Sequence, residues 1–275
     1  MISIENLGFS YGENIVLKDI TMKLEDGRIY GLLGENGVGK TTLLTLLSGL
    51  KKPKTGEIKV DGQFPFDRKP SLLSEIFYLS DEVEEANMTA MNYARNYGKF
   101  WSNFSLEKFV EIMGEFEIHH DKKMNQMSAG QLKKAHIAFA LSCNTKYLFL
   151  DEPTNGLDIP SKAQFRKALL KYTGEDSIVL ISTHQVRDLE NVIDPIIILD
   201  RQQVLMNASL QEISEKLYFY YGNEHKDGTL YCEMVPGGNI QVMLNTERED
   251  SKVNIEALFN TVHKHKELVK SVFAK

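Results

Sequence analysis

Residues 34–41 read GENGVGKT and lie between an apolar segment, RIYGLL at 28–33, and a second apolar run that begins at Thr41. The stretch fits the pattern G-x-x-x-x-G-K-[ST], which wraps phosphate groups where it joins a strand to a helix. Glycines let backbone N–H groups face the phosphates, the lysine reaches the β- and γ-phosphates, and the following hydroxyl binds Mg²⁺. The sequence therefore predicts a phosphate-binding loop for a magnesium nucleotide.

We expect this ligand to be ATP with Mg²⁺, and the alternative is a glycine-rich turn before a core helix. Nine residues are predicted to contact the nucleotide: Gly34, Glu35, Asn36, Gly37, Val38, Gly39, Lys40, Thr41 and Thr42. Thr41 is also a predicted metal ligand, through its hydroxyl group.

A second apolar segment, YLFLDEP at 147–153, ends in two carboxylates. Buried strands of a parallel sheet carry functional groups at their carboxyl ends. Asp151 is therefore predicted to hold Mg²⁺ through water, and Glu152 to act on the attacking water as its base or orienter. Taken alone, the acidic pair could equally be a solvated turn; together with the loop at 34–41 it indicates a catalytic site.

Two further side chains are candidates for the same site. His184, in STHQ at 182–185, ends the next predicted strand, and this position places it near the same phosphates. A histidine at a strand end is also often purely structural. Tyr11, in FSYG at 9–12, could stack on adenine or serve only as a hairpin residue.

Helix and strand patterns alternate through the rest of the chain, which indicates a mainly parallel sheet covered by helices. The predicted helices are 41–47, 129–142, 161–172 and 185–192, and the predicted strands are 76–79, 147–150, 178–182 and 196–200. The predicted fold class is α/β, with a P-loop NTPase core.

Other segments depart from this alternation. Residues 1–33 suggest short strands, antiparallel at the N-terminus, and residues 83–126 read as an inserted helical lobe. After about residue 208, three strand-like segments and a closing helix from about Ile255 indicate a small α+β extension. The predicted domains are 1–210, with the lobe at about 83–142, and 211–275.

Composition excludes several classes of protein. The chain has 275 residues, 42% of them hydrophobic, and a net charge of −6, which argues against a general nucleic-acid-binding surface. No apolar run approaches the roughly 20 residues of a membrane-spanning helix. Two cysteines in no ligand-like spacing fit a reducing compartment. We therefore expect a cytoplasmic protein that reaches a membrane only through a partner.

The stretch MSAGQLKKAH at 127–136 predicts a second anion site. Ser128 and Gln131 form a capping box, while the small Ala129 and Gly130 leave the helix start open to a large anion. One γ-phosphate does not need two helix N-termini from a single chain. The pattern therefore favours two chains that meet head to tail, each closing the nucleotide site of the other.

In that order, GENGVGKTT, MSAGQ, YLFLDEPTNGLD and STHQ resemble the ATP-binding subunit of an ABC transporter, over roughly residues 1–215. The resemblance implies that Ser128, Gly130 and Gln131 face the γ-phosphate bound by the opposite subunit. It also implies Asp158 at the dimer interface, His184 as a γ-phosphate contact and Tyr11 on the adenine.

The chain departs from that family at two places. Met127 and Ala129 replace leucine and glycine of the usual signature Leu-Ser-Gly-Gly-Gln and keep its small or apolar character. Asp81 or Glu82 stands where the family has glutamine, after the strand that precedes the lobe. A carboxylate there can still bind a metal-bound water, so Asp81 is a further candidate metal ligand.

The resemblance implies an ATPase that powers a separate integral membrane permease, peripheral at the inner face of the cell membrane. The segment STHQVRDLENVIDPIIILD and the C-terminal sheet resemble subunits of ABC-2-type exporters, which implies export. The expected dimer partner of the chain is a second copy of itself or a related ATP-binding subunit, and no nucleic acid is expected as a partner. The alternatives are a soluble ABC-type ATPase, as in iron–sulfur assembly, and a regulatory module that binds ATP without turnover.

Overall fold

The computed structural model of the protein describes residues 1–273. The strands are β1 Ile2–Tyr11, β2 Asn14–Leu24, β3 Arg28–Leu33, β4 Thr55–Val60, β5 Ile76–Leu79, β6 Tyr147–Asp151, β7 Ile178–Thr183, β8 Ile196–Asp200, β9 Gln203–Ala208, β10 Leu217–Gly222, β11 Tyr231–Val235 and β12 Gly238–Leu244. The helices are α1 Lys40–Leu47, α2 Pro70–Leu73, α3 Ala90–Tyr97, α4 Leu106–Glu115, α5 Ala129–Ser142, α6 Ile159–Tyr172, α7 Leu210–Lys216, α8 Ile255–Lys264 and α9 Lys266–Phe273.

The central sheet has the strand order β5-β6-β7-β3-β8-β9, and only β9 runs antiparallel to its neighbour. Residues 30–33 of β3 and all of β6 and β7 are buried, as expected of parallel strands covered on both faces. Since β3, β6 and β7 lie side by side, their carboxyl ends meet at one edge. The predicted α/β fold with a mainly parallel sheet is confirmed.

The two faces of this sheet are covered differently. Leu32 belongs to a core shared with α1 and the antiparallel sheet β2-β1-β4. Leu33 points to the opposite core, which contains α5, α6 and the helical segments that precede them. Of the strands expected before residue 34, β1 and β2 are antiparallel, whereas β3 joins the central sheet because its side chains are apolar on both faces.

The segment between β5 and β6 is helical, as the sequence predicts. Phe139 of α5 lies at the centre of an aromatic cluster whose other rings are Phe77, Tyr93, Trp101 and Phe104. Trp101 also donates from Nε1 to the carbonyl of Ile76, at 3.0 Å. These aromatic rings therefore pack the helices against the sheet.

One predicted helix is wrong. Residues 185–192 contain only a short 3-10 turn, Val186–Asp188. Side chains of α6 bind Asp188, because Arg166 donates to its carbonyl at 2.9 Å and Lys162 pairs with its carboxylate at 2.7 Å. Pro195 also disfavours helical backbone at the residue before it.

The C-terminal residues form the antiparallel sheet β10-β12-β11, with α8 beside β11 and β12, whereas α9 packs against β9 of the central sheet. The single closing helix predicted from Ile255 is instead two helices, because His265 has non-helical backbone angles. Its ring bonds the carbonyl of Leu230, at 2.8 Å. Within residues 1–273, no helix combines the length and the apolar character needed to cross a membrane.

Candidate active site

The loop between β3 and α1 has a backbone that only glycine adopts easily. Gly39, the residue before α1, has φ +111°, and Gly37 has φ +82°. A Cβ atom on Gly34 would lie 2.6 Å from the carbonyl oxygen of Leu199. The predicted phosphate-binding loop is therefore compact and runs directly into the N-terminus of α1, which attracts anions.

Lys40 is buried beneath this loop. Its Nζ donates to the carbonyls of Gly34, at 2.8 Å, and Glu35, at 3.1 Å, and lies 3.6 Å from Oε1 of Glu152. The ammonium group is thus held between the loop and a catalytic carboxylate candidate. Its charge and position suit a phosphate bound in the loop.

Thr41 and Asp151 form the candidate cation site. The Thr41 hydroxyl donates to Oδ2 of Asp151 at 2.6 Å, and the Ser182 hydroxyl donates to Oδ1 of the same carboxylate. A hydroxyl and a carboxylate are the oxygen donors that Mg²⁺ prefers. The residues present therefore fit Mg²⁺ at this position.

Tyr78 of β5 is a part of this site that sequence reasoning missed. Its hydroxyl donates to Oδ2 of Asp151, at 3.4 Å. Burial and the neighbouring Asp151 carboxylate raise the pKa of the Tyr78 phenol well above its usual value, so the group stays protonated and can donate. Its place near the carboxyl end of the strand beside β6 was the available signal.

Glu152 and His184 are brought together by the pairing of β6 with β7. Nδ1 of His184 lies 2.9 Å from Oε1 of Glu152, and the His184 amide lies 3.4 Å from Oε2. Glu152 has φ +45°, a left-handed backbone that is strained for a non-glycine residue and is common at functional sites. The carboxylate is thus oriented by an imidazole and lies close to Lys40.

Tyr11 ends β1 beside the start of α1. Its side chain is 48% exposed, its hydroxyl lies 3.3 Å from Oγ1 of Thr42, and the Lys51 ammonium lies 5.0 Å from the ring centre. The ring is therefore at the rim of the loop and free on one side. Stacking on adenine stays a prediction.

The start of α5 has the capping box expected from the sequence. The backbone amide of Gln131 donates to Oγ of Ser128 at 3.3 Å, and the backbone amide of Ser128 donates to the side-chain Oε1 of Gln131 at 3.2 Å. A Cβ atom on Gly130 would meet only the Gly156 carbonyl, at 3.6 Å. Within residues 1–273, no hydrogen bond or ion pair joins 127–131 to 34–42, so the two predicted phosphate-binding segments are separate in one chain.

Two other candidates have local partners. Asp158 caps α6 by accepting from the backbone amide of Ser161 at 2.9 Å, and hydrogen bonds from the Ser161 side chain and backbone lower the pKa of its carboxyl group. Asp81 pairs with Lys133 and Asn155, two residues that sequence reasoning missed, rather than with Thr41 or Asp151. The role of Asp158 at a dimer interface and the role of Asp81 as a metal ligand stay predictions.

The fold and this edge of the sheet define a P-loop nucleotide-binding protein. The profile of the ABC transporter family matches residues 17–155. The chain belongs to this family, as one of its ATP-binding domains.

Relatives that are named as ATP-binding proteins align with most of the chain. It is 31% identical to an uncharacterized ABC transporter ATP-binding protein, YdbJ of Bacillus subtilis, over 85% of this chain and 83% of that protein. It is 28% identical to the petrobactin import ATP-binding protein YclP of Bacillus subtilis (78% and 89% covered) and 27% identical to the bacitracin transport ATP-binding protein BcrA of Enterococcus faecalis (86% and 78%).

Solved structures share the fold. An ATP-binding subunit of an ABC transporter superposes with a TM-score of 0.70 at 23% identity, over 78% of this chain and 91% of that one. A bacterial ABC transporter cassette solved as a dimer superposes with a TM-score of 0.66 at 24% identity, over 76% and 99%.

Proposed function

We propose that the chain binds and hydrolyses Mg²⁺-ATP and powers substrate export through a separately encoded ABC-2-type permease. The observation that carries this proposal is the convergence of Lys40, Thr41, Asp151, Glu152 and His184 at one edge of the sheet. Export rests on the resemblance of residues 182–200 and of the C-terminal sheet to ABC-2-type subunits. Among the relatives, one name states import, of petrobactin, and another states transport of bacitracin without a direction.

Each residue of the site has its own role in the proposed hydrolysis of ATP. The loop amides and Lys40 bind the β- and γ-phosphates, and Thr41 with Asp151 would hold Mg²⁺, which supplies charge neutralisation on those phosphates. Glu152 accepts the proton of the attacking water, and His184 orients that carboxylate through the contact of 2.9 Å. Tyr78 and Ser182 keep the Asp151 carboxylate in place.

A head-to-tail dimer completes the site in this proposal. Ser128, Gly130 and Gln131 of one chain face the γ-phosphate bound by the other, with Asp158 nearby at the interface. Two features support it: the exposed side chain of Ser128 and the open space around Gly130. The partner chain is a second copy or a related subunit.

Co-purification tests the proposed transport role. From detergent-solubilised membranes, the tagged chain is expected to bring down a polytopic protein with about six spanning helices, each about 20 residues long. Such a partner would place the chain at the inner face of the membrane. Recovery of a soluble scaffold rich in metal-binding cysteines would instead support the iron–sulfur alternative and contradict the proposal.

Replacing Lys40 by alanine is expected to weaken ATP binding roughly ten- to hundredfold, since a charge-assisted contact contributes about 1.5–3 kcal/mol. Isothermal titration with Mg²⁺-ATP measures the affinity, and thermal unfolding shows whether the buried site remains folded. Lys54→Ala, at an exposed position after α1, is the matched control. Unchanged affinity in Lys40→Ala would contradict the assignment of the phosphate-binding loop.

We place the permease contact in a groove of about 430 Å³ between the helical segment and the N-terminal part of the chain. Its rim carries two exposed apolar side chains, Phe100 at 64% and Leu50 at 53%. Tyr78 lines the same groove and bonds Asp151, so a cytoplasmic segment of the permease seated there would lie one side chain from the cation site.

Site-specific cross-linking tests this contact. In a Cys232→Ser background, cysteines at Tyr97 and Phe100, which are exposed on the helical segment, are expected to cross-link to the permease in membranes. Tyr93 and Trp101 are unsuitable because they pack in the aromatic cluster. Lys23→Cys, exposed on β2, is the control. If Tyr97→Cys and Phe100→Cys never reach a membrane protein, the groove is not the contact.

A further inference from the structure

The loop that follows β5, residues 80–88, is bound to α5 by two buried polar side chains. Lys133 Nζ donates to the carbonyl of Asp81 at 2.6 Å, and His136 Nε2 contacts the carbonyl of Glu84 at 2.9 Å. Burial lowers the pKa of His136, so the neutral ring donates from Nε2 to this acceptor. Lys133 and His136 lie about one turn apart on the same side of α5. Their two contacts therefore hold the loop at 80–88 against this side of the helix.

The Asp81 carboxylate is held on two sides. Oδ1 lies 3.3 Å from Lys133 Nζ, and both carboxylate oxygens accept from Asn155 Nδ2 at 3.2 Å. Asn155 in turn donates from its backbone amide to the carbonyl of Glu152, at 3.1 Å. Asp81 therefore links α5, whose first turn follows Ser128, to the loop that carries Glu152.

Burial of the Lys133 side chain makes the loss of its carboxylate partner unfavourable, although the Asp81 side chain itself is 41% exposed. The Lys133 side chain is only 5% exposed, and taking an ammonium ion out of water is unfavourable unless a carboxylate compensates it. Burial lowers the pKa of Lys133, and the Asp81 carboxylate opposes that shift. If Asp81 turned to a metal ion, Lys133 would lose the carboxylate with which it pairs.

We propose that Lys133 is a positioning residue that keeps Asp81 out of the cation site of Thr41 and Asp151, so that Asp81 bridges α5 and the Glu152 loop instead of binding Mg²⁺. This inference rests on the proposed function only in its assumption that a magnesium nucleotide binds at 34–41. It replaces the expectation that Asp81 is a metal ligand. Charge also favours it, because a third carboxylate beside Asp151 and Glu152 would add repulsion.

A double-mutant cycle without nucleotide tests the pair itself. Asp81→Asn and Lys133→Gln are each expected to lower the melting temperature by roughly 3–6 °C. The double variant should lose no more than the worse single variant, since no charge is then left unpaired. Lys134→Gln is the control, because Lys134 lies next in α5 but bonds a carbonyl and an amide. Additive losses in the cycle would contradict the pairing.

Mn²⁺ affinity, measured by electron paramagnetic resonance with a non-hydrolysable ATP analogue, tests the position of Asp81. Asp81→Asn is expected to leave the affinity within about twofold of the wild type, whereas loss of a true ligand would lower it by tenfold or more. Lys133→Gln should raise the affinity about fivefold or more by releasing Asp81, and most of this gain should vanish in the double variant.

Two results of the Mn²⁺ experiment would overturn the inference. One is a tenfold weaker affinity in Asp81→Asn, and the other is a gain in Lys133→Gln that is absent or that persists fully in the double variant. Failure of the wild type to bind the ATP analogue would instead contradict the proposed function. The nucleotide-free melting cycle would still report on the pair.

Discussion

Replacing Glu152 by glutamine is expected to lower ATP turnover at least about a hundredfold, as for the loss of a positioned general base. ATP binding should be retained, because the amide keeps the size of the carboxylate and still offers an oxygen to the His184 ring. In the structure that ring nitrogen lies 2.9 Å from Oε1 of Glu152. Steady-state phosphate release measures the rate.

The bound but unhydrolysed nucleotide should trap an ATP-dependent dimer of Glu152→Gln, visible by light scattering. Glu175→Gln, at an exposed turn away from the site, is the matched control and should behave as the wild type. Hydrolysis at the wild-type rate in Glu152→Gln would mean that another group activates the water.

Replacing Ser128 by arginine is expected to abolish turnover in the homodimer, because bulk and positive charge would occupy the space meant for the neighbour's γ-phosphate. Loss of the cap on α5 by itself costs only about 1 kcal/mol. Ser209→Arg removes an equivalent cap, since Ser209 accepts from the Glu212 amide at 3.1 Å at the start of α7. This control should lose similar stability and keep its turnover.

Mixing Ser128→Arg with Lys40→Ala separates a shared site from a local effect. In a head-to-tail heterodimer, one site combines both lesions, while the other joins an intact phosphate-binding loop to an intact α5 N-terminus. Nucleotide-dependent dimerisation should therefore return in the mixture, with some hydrolysis if one site can act alone. Full activity of Ser128→Arg by itself, or no dimer in the mixture beyond the separate variants, would contradict the shared site.

Local signals were sufficient for most elements of the fold. Helix α5 covers the residues predicted for it, 129–142, because its capping box and its apolar pattern are both encoded within a few residues. Strands β6, β7 and β8 were predicted within one residue, since each is a short apolar run between polar segments. The prediction of a helix over 185–192 is wrong because side chains of α6 bind Asp188, and no local sequence pattern indicates this contact.

The residues of the candidate site likewise include some that the local sequence predicts and one whose contact depends on strand pairing. Spacing alone predicts the phosphate-binding loop, the acidic pair at 151–152 and His184 as site residues, because each motif follows a strand whose end the sequence indicates. It did not identify Tyr78, whose contact with Asp151 depends on the pairing of β5 with β6.

By itself, the sequence determined the strand-to-helix loop at 34–41, the order of the elements and the family, since these depend on residue types at short spacings. Only the tertiary structure decided that Asp81 faces Lys133 and Asn155. Lys133 looks like an ordinary helix lysine in QLKKAH, but the packing of α5 against the loop at 80–88 buries it. A buried charge must find a partner across the fold, and that requirement is set by three-dimensional packing rather than by neighbours in the chain.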